Sequence, residues 1–259
     1  MKMTLPLSGL IWMGCIDGTK LPNNDVVDSS VFVDMITEED HAETTVLFSV
    51  DTTVGQISQI NPLDGTTTSI QSVSMNHQIS SMTFNTSGVA YIYDHLSRKI
   101  GVLDHCSGDI TLLPETNEDL VICGISFASD DSLYGLDSKD NQLVRYDLET
   151  GEATSIGELN MNIRSCGLAY DSTTERLIGA TASTGEVFNI DIDTGKTFNH
   201  LATDVPFESV GVAYASQTDS LLVSTGSSLY SVDLTDGSSI LLGNMEGHID
   251  DLVFHSQCP

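Results

Sequence analysis

Three carboxylates and a short set of polar residues carry whatever chemistry this sequence offers. Glu208, Asp250 and Asp251 stand at the starts of two equivalent apolar segments. Two carboxylates flanking one bond can act as general acid and as nucleophile or base, the arrangement that glycoside hydrolysis uses. Asp250 and Asp251 are adjacent, however, so in an extended strand they would point to opposite faces. A second set lies six residues ahead of the aromatic that ends each apolar segment: Gln78, Val121, Arg164, Glu208 and His248. Four of these five are polar, and Arg164 is one of only four arginines in the chain. Gln78, Arg164, Glu208 and His248 are therefore the candidate ligand-binding residues. The seven histidines (His41, His77, His95, His105, His200, His248 and His255) belong to no G-x-S-x-G or H-E-x-x-H motif. No C-x-x-C or close Cys/His cluster supports a zinc site. Asp191-x-Asp193 resembles part of a calcium loop but lacks the remaining oxygen ligands at fixed offsets, so it reads as turn chemistry.

The elements that must position these residues are visible in Leu133 to Gly157, LYGLDSKDNQLVRYDLETGEATSIG. Leu133–Asp137 reads as a strand, Ser138–Asn141 as a polar turn and Gln142–Leu148 as a second strand. Glu149–Gly151 turns the chain into a third strand at Ala153–Ile156. β-Branched and aromatic enrichment, period-two spacing and Gly/Asp/Asn punctuation are the signals. The stretch recurs. The Asx residue closing the second strand is Asn61, Asp104, Asp147, Asp191 and Asp233, at steps of 43, 43, 44 and 42 residues. The turn glycine four residues later, Gly65, Gly108, Gly151, Gly195 and Gly237, keeps the same steps. An apolar segment ending in an aromatic accompanies each unit: Met82–Phe84, Ile125–Phe127, Leu168–Tyr170, Val212–Tyr214 and Leu252–Phe254. A period in the low forties with four strands per unit marks a β-propeller blade. In each Asx-x-x-x-Gly turn the Asx side chain is expected to cap the turn, with glycine in the left-handed conformation.

The segment GLAYDSTTERLIGATASTGEVFNIDIDTG, Gly167 to Gly195, resembles the blades of bacterial propellers of the NHL, YVTN and PQQ-like types. The likeness spans about Val46 to Phe254 and implies a fold rather than an activity. It departs from the WD-repeat type, because the single tryptophan, Trp12, precedes the repeats. Calling the four strands of a blade a to d from the channel outward, the first repeat opens on strand b at Val46–Asp51 and the chain ends on strand a at Gly247–Phe254. The expected fold is an all-β, five-bladed propeller of four-stranded antiparallel blades. Its C-terminal strand joins the N-terminal blade and leaves no open edge between the ends.

Lys and Arg total 9 against 37 Asp and Glu, a formal net charge of −28. That charge repels nucleic acid and anionic lipid; it suits salty or extracellular water, with cation binding as the other reading, and the expectation is no cofactor, calcium being the alternative. Met1–Cys15 resembles a short export signal ending in a lipoprotein-type cysteine, with a structural strand as the other reading. It is too short to span a membrane, so membrane contact would come only through a lipid at Cys15. Residues 16–45 read as a linker or extension and 46–259 as the propeller. Cys123 and Cys166 are equivalent positions and read as small buried residues beside the channel, or as a disulfide if their Cα atoms lie close. The expected protein is a monomeric, extracytoplasmic (periplasmic, cell-surface or secreted) binding or scaffolding module. It would use its d–a loops and channel mouth for a protein or small polar ligand. The alternative is a glycosidase- or lactonase-like hydrolase at the channel mouth, working through Glu208, Asp250 or Asp251, with or without a divalent cation.

Overall fold

The computed structural model describes residues 45–256 apart from Thr52, Thr53 and Met75. The expected export segment, the linker after it and Cys258 lie outside the described residues. Twenty strands form five four-stranded antiparallel sheets. Blade 1 contains β1 (Thr45–Asp51), β2 (Gln56–Ile60) and β3 (Thr67–Ser72), with β20 (Ile249–Ser256) as its inner strand. Blade 2 contains β4 (Ile79–Phe84), β5 (Ala90–Asp94), β6 (Lys99–Leu103) and β7 (Ile110–Leu112). Blade 3 runs through β8 (Ile122–Phe127), β9 (Leu133–Asp137), β10 (Gln142–Tyr146) and β11 (Ala153–Glu158). In blade 4 the strands are β12 (Cys166–Asp171), β13 (Arg176–Thr181), β14 (Glu186–Ile190) and β15 (Thr197–Ala202). Blade 5 is β16 (Gly211–Ala215), β17 (Ser220–Thr225), β18 (Ser228–Asp233) and β19 (Ser239–Asn244). The ring closes as the order of strands requires: β20 pairs antiparallel with β1, from Thr45 opposite Ser256 to Asp51 opposite Ile249.

The core is divided among the seams. Five apolar clusters form, each joining two neighbouring blades. Period two explains the division, because consecutive residues of a strand point to opposite sheet faces. In β10, Leu143 feeds the seam with blade 4 and Val144 feeds the seam with blade 2. Both faces of a blade are thus apolar, and the middle strands read as near-continuous buried runs. β9 is buried at all five positions.

The Asx-x-x-x-Gly turns hold as expected and also make a joint between blades. Asn61, Asp104, Asp147, Asp191 and Asp233 each accept the amide N–H two residues on, at 2.7–3.1 Å. All five turn glycines have left-handed φ, from +72° at Gly195 to +83° at Gly108. Each of these glycines is also pressed against the preceding blade. A Cβ on Gly195 would lie 2.6 Å from the Gly157 carbonyl oxygen, and one on Gly108 would lie 2.5 Å from that of Ser72. Close approach is the second reason for glycine here, and a single repeat does not display it.

Two outcomes follow from this architecture. Deleting residues 247–259 removes the whole of β20 and bares the β1 edge, so the truncated chain should elute as aggregate on size exclusion; a monomeric, cooperatively folded product would refute the closure. Gly185, at φ +69° with nothing within 4 Å of a Cβ, pays only the left-handed penalty on substitution. Urea denaturation should therefore give about 1–2 kcal/mol for Gly185→Ala. Gly195→Ala adds the clash and should cost roughly 2–5 kcal/mol.

Candidate functional site

The channel mouth is built by a hydrogen bond repeated in every blade. Each strand b ends in a short polar residue: Asp51, Asp94, Asp137, Thr181 and Thr225. Its side-chain oxygen accepts one backbone N–H from the segment entering an inner strand. His248 donates to Asp51 at 2.9 Å, Gln78 to Asp94 at 2.8 Å and Val121 to Asp137 at 2.9 Å. Arg164 donates to Thr181 at 3.0 Å and Glu208 to Thr225 at 2.9 Å. The five donors are the five residues that stand six positions ahead of the terminal aromatics. The five acceptors were missed, although their steps also follow the repeat.

Burying these carboxylates is tolerable because several donors converge on each. Asp94 also accepts from Ser97 Oγ at 2.6 Å, the Leu96 amide at 3.2 Å and His77 Nδ1 at 3.1 Å. Burial alone would raise its pKa, but these bonds hold it below the ordinary carboxylate value. Asp137 accepts from the Lys139 amide at 3.0 Å and from Gln142 Nε2 at 2.9 Å. The backbone of the mouth is therefore fixed while Gln78, Arg164, Glu208 and His248 stay exposed. The His248 imidazole lies 3.2 Å from an Asp250 carboxylate oxygen.

Three residues deeper along each inner strand the channel narrows to a waist of Ser81, Gly124, Gly167, Gly211 and Asp251. A Cβ on Gly124 would stand 2.7 Å from the Leu168 amide nitrogen, and one on Gly211 would stand 2.6 Å from Asp251 Cα. Neighbouring inner strands thus meet backbone to backbone. One residue before Gly124 and Gly167, Cys123 and Cys166 form a disulfide with a Cα separation of 5.1 Å. The buried-residue reading is half right: Cys166 is buried and Cys123 partly so, and the two are covalently joined.

At the remaining waist positions a polar link replaces the close approach. Asp251 accepts from Ser81 Oγ at 2.7 Å and from the Met82 amide, and Ser81 Oγ accepts from the Ile125 amide at 2.9 Å. Asp251 also accepts the Leu252 amide at 2.9 Å. These bonds run from blade 1 through blade 2 to blade 3.

The three carboxylates are divided between environments. Glu208 is exposed at the mouth, Asp250 is partly exposed beside His248, and Asp251 is buried in the waist. Among the described residues no three His, Cys, Asp or Glu side chains group to hold a metal ion. Asp191 is occupied by the Asp193 and Thr194 amides and the Thr194 hydroxyl. A cavity of about 170 Å³ lies past the waist, toward the aromatic ends of the inner strands, lined in part by Phe127, Tyr170, Tyr214 and Phe254.

Five four-stranded blades closed into a ring define the chain as a β-propeller repeat protein. It belongs to the family described as "Repeat of unknown function (DUF6923)", whose pattern matches residues 75–220, more than half the chain. No curated protein sequence matches it. Among solved structures it is similar to a Bacteroides thetaiotaomicron protein of unknown function, with a TM-score of 0.58 and 13% identity over 83% of this chain and 66% of that one. A chain of a nidogen/laminin complex gives a TM-score of 0.56 and 14% identity over 83% of this chain and 100% of that one. A catalytically inactive virginiamycin B lyase from Staphylococcus aureus, solved with quinupristin, gives 0.51 and 17% over 80% and 72%. At these identities the likeness is one of fold.

Asp251 makes the waist sensitive to pH. Burial, the largest influence, raises its pKa to about 7 against the opposing bonds from Met82, Ser81 and Leu252, and Asp250 raises it further. The folded state therefore holds a proton that the unfolded chain releases near pH 4. Stability from this group is full below pH 4 and is lost as pH rises through about 7. Urea midpoints measured from pH 4 to pH 8 should fall more steeply for the native protein than for Asp251→Asn. Equal slopes would show that Asp251 does not carry the effect.

Proposed function

We propose that this chain is a non-catalytic, extracytoplasmic binding propeller that presents a polar ligand or protein site on its d–a loop face and channel mouth. The five anchored backbone N–H groups carry this reading. They hold Gln78, Arg164, Glu208 and His248 at equivalent positions around one opening while leaving their side chains exposed. A rigid scaffold with variable polar residues at its rim is the usual form of a binding site. The separate environments of Glu208, Asp250 and Asp251 speak against a hydrolytic pair, since Asp251 is committed to holding Ser81 and Met82. The Cys123–Cys166 disulfide supports an oxidising compartment.

The test is a thermal-shift screen of sugars, amino acids and organic acids at fixed ionic strength, repeated on Arg164→Ala and Glu208→Gln. A ligand of this mouth raises Tm with the logarithm of its concentration, and its affinity should fall at least tenfold in these variants. Hydrolysis of aryl glycosides or lactones that is abolished by Glu208→Gln or Asp250→Asn would overturn the reading. Calcium should raise Tm no more than monovalent salt of equal ionic strength. A micromolar calcium effect that persists in high salt would point instead to a cation-dependent hydrolase.

A further inference from the structure

The five outer strands occupy equivalent places, so each serves as a control for the others. β7 and β11 expose no large apolar side chain, β3 exposes Ile70 at 38% and β15 exposes Phe198 at 43%. β19 exposes two in succession, Ile240 at 57% and Leu241 at 53%. Its inner edge pairs with β18, Ser231 opposite Ile240 and Tyr230 opposite Leu241, and its outer edge ends the sheet. A register shift at Leu242 bends the strand and leaves Ser239–Leu241 as the straight portion. The strand, SILLGN, contains neither the lysine nor the proline that commonly guards an exposed edge.

The surrounding charge is one-sided. Lys196 is the last Lys or Arg of the chain, and none occurs between residues 45 and 97. Blades 5 and 1 therefore contain no Lys or Arg, while the stretch after Lys196 carries eight Asp and Glu. Asp204 accepts the Ser239 hydroxyl at the start of β19, Asp236 lies in the turn before it, and exposed Glu246 follows it. Two copies of such a chain repel one another, whereas a basic segment is attracted.

We propose that the outer edge of β19 is a docking site for an extended, basic partner segment, which adds a short strand and packs its aliphatic face on the same sheet face as either Ile240 or Leu241, which point to opposite faces. Main-chain bonds along Ser239–Leu241 would give the register, and the acidic sector would select lysine- or arginine-bearing partners. This site lies on the outer edge of blade 5 and does not depend on the polar mouth.

The probe is a fluorescein-labelled ten-residue peptide of alternating valine and lysine, followed by anisotropy on the full chain. Two control peptides carry either proline at every second valine or glutamate for lysine. The alternating peptide should bind at least tenfold more tightly than both controls and should slow amide exchange at Ser239–Leu241. Ile240→Ser with Leu241→Ser, both at exposed positions, should weaken binding at least tenfold, whereas Ile70→Ser and Arg164→Ala should not. Equal binding of the proline peptide would mean charge attraction alone and would overturn the proposal. So would an unchanged affinity in the double variant. A dimer seen by light scattering and abolished by the double variant would also overturn it, by assigning the edge to a second copy.

Discussion

Everything in this fold depends on closure of the ring by β20 on β1. Hydrogen-bonded ladders run only within blades, so neighbouring blades are held mainly by the five apolar seams. A seam exists only while both of its blades are in place. β20 supplies Leu252 and Ile249 to the seam with blade 5, and Val253 packs on the seam with blade 2. The last strand thus serves two seams, and the strand it pairs with begins the repeats. The polar link at the waist follows the same path, since Asp251 lies on β20 and reaches Ser81 of blade 2.

Closure also governs what the channel can do. Glycine at three waist positions lets the inner strands touch, while Ser81 and Asp251 fill the other two. The narrow waist separates the polar mouth from the aromatic-rimmed cavity. Chemistry that needs carboxylates converging from several blades has little room there, because the deepest carboxylate already accepts three donors. Binding at the rim needs only that the rim keep its shape, and the collar of strand-b side chains provides for that.

The repeat made the fold readable. Turn residues and terminal aromatics recur in register, so the blade number and the closing strand follow from counting. The mouth was readable as positions and not as a mechanism. Gln78, Arg164, Glu208 and His248 stood out as polar residues at a fixed spacing, whereas their anchors, from Asp51 to Thr225, lie sixteen or more residues away in sequence. Hydrogen bonds between separated segments leave no local pattern. The Cys123–Cys166 disulfide was open for the same reason: spacing gave equivalence, and only the approach of β8 and β12 gives proximity.

The acidity of the chain has a partly structural origin. A carboxylate that accepts backbone amides is the means by which this repeat caps its turns and anchors its mouth, so each copy of the unit brings negative charge with it. Asp104 and Asp147 are exposed, yet the amides of Cys106 and Thr150, with further bonds nearby, draw their pKa values below the ordinary carboxylate value. Asp191 is lowered in the same way by the Thr194 hydroxyl and amide. Blade 4 and blade 5 use Thr181 and Thr225 where the others use Asp, which shows that the anchoring bond requires an acceptor and not a charge. The acidic character around β19 therefore owes less to added carboxylates than to missing cations. Blades 2 to 4, with the segments entering them, offset their structural aspartates with Arg98, Lys99, Lys139, Arg145, Arg164, Arg176 and Lys196, and blades 5 and 1 offset theirs with no Lys or Arg.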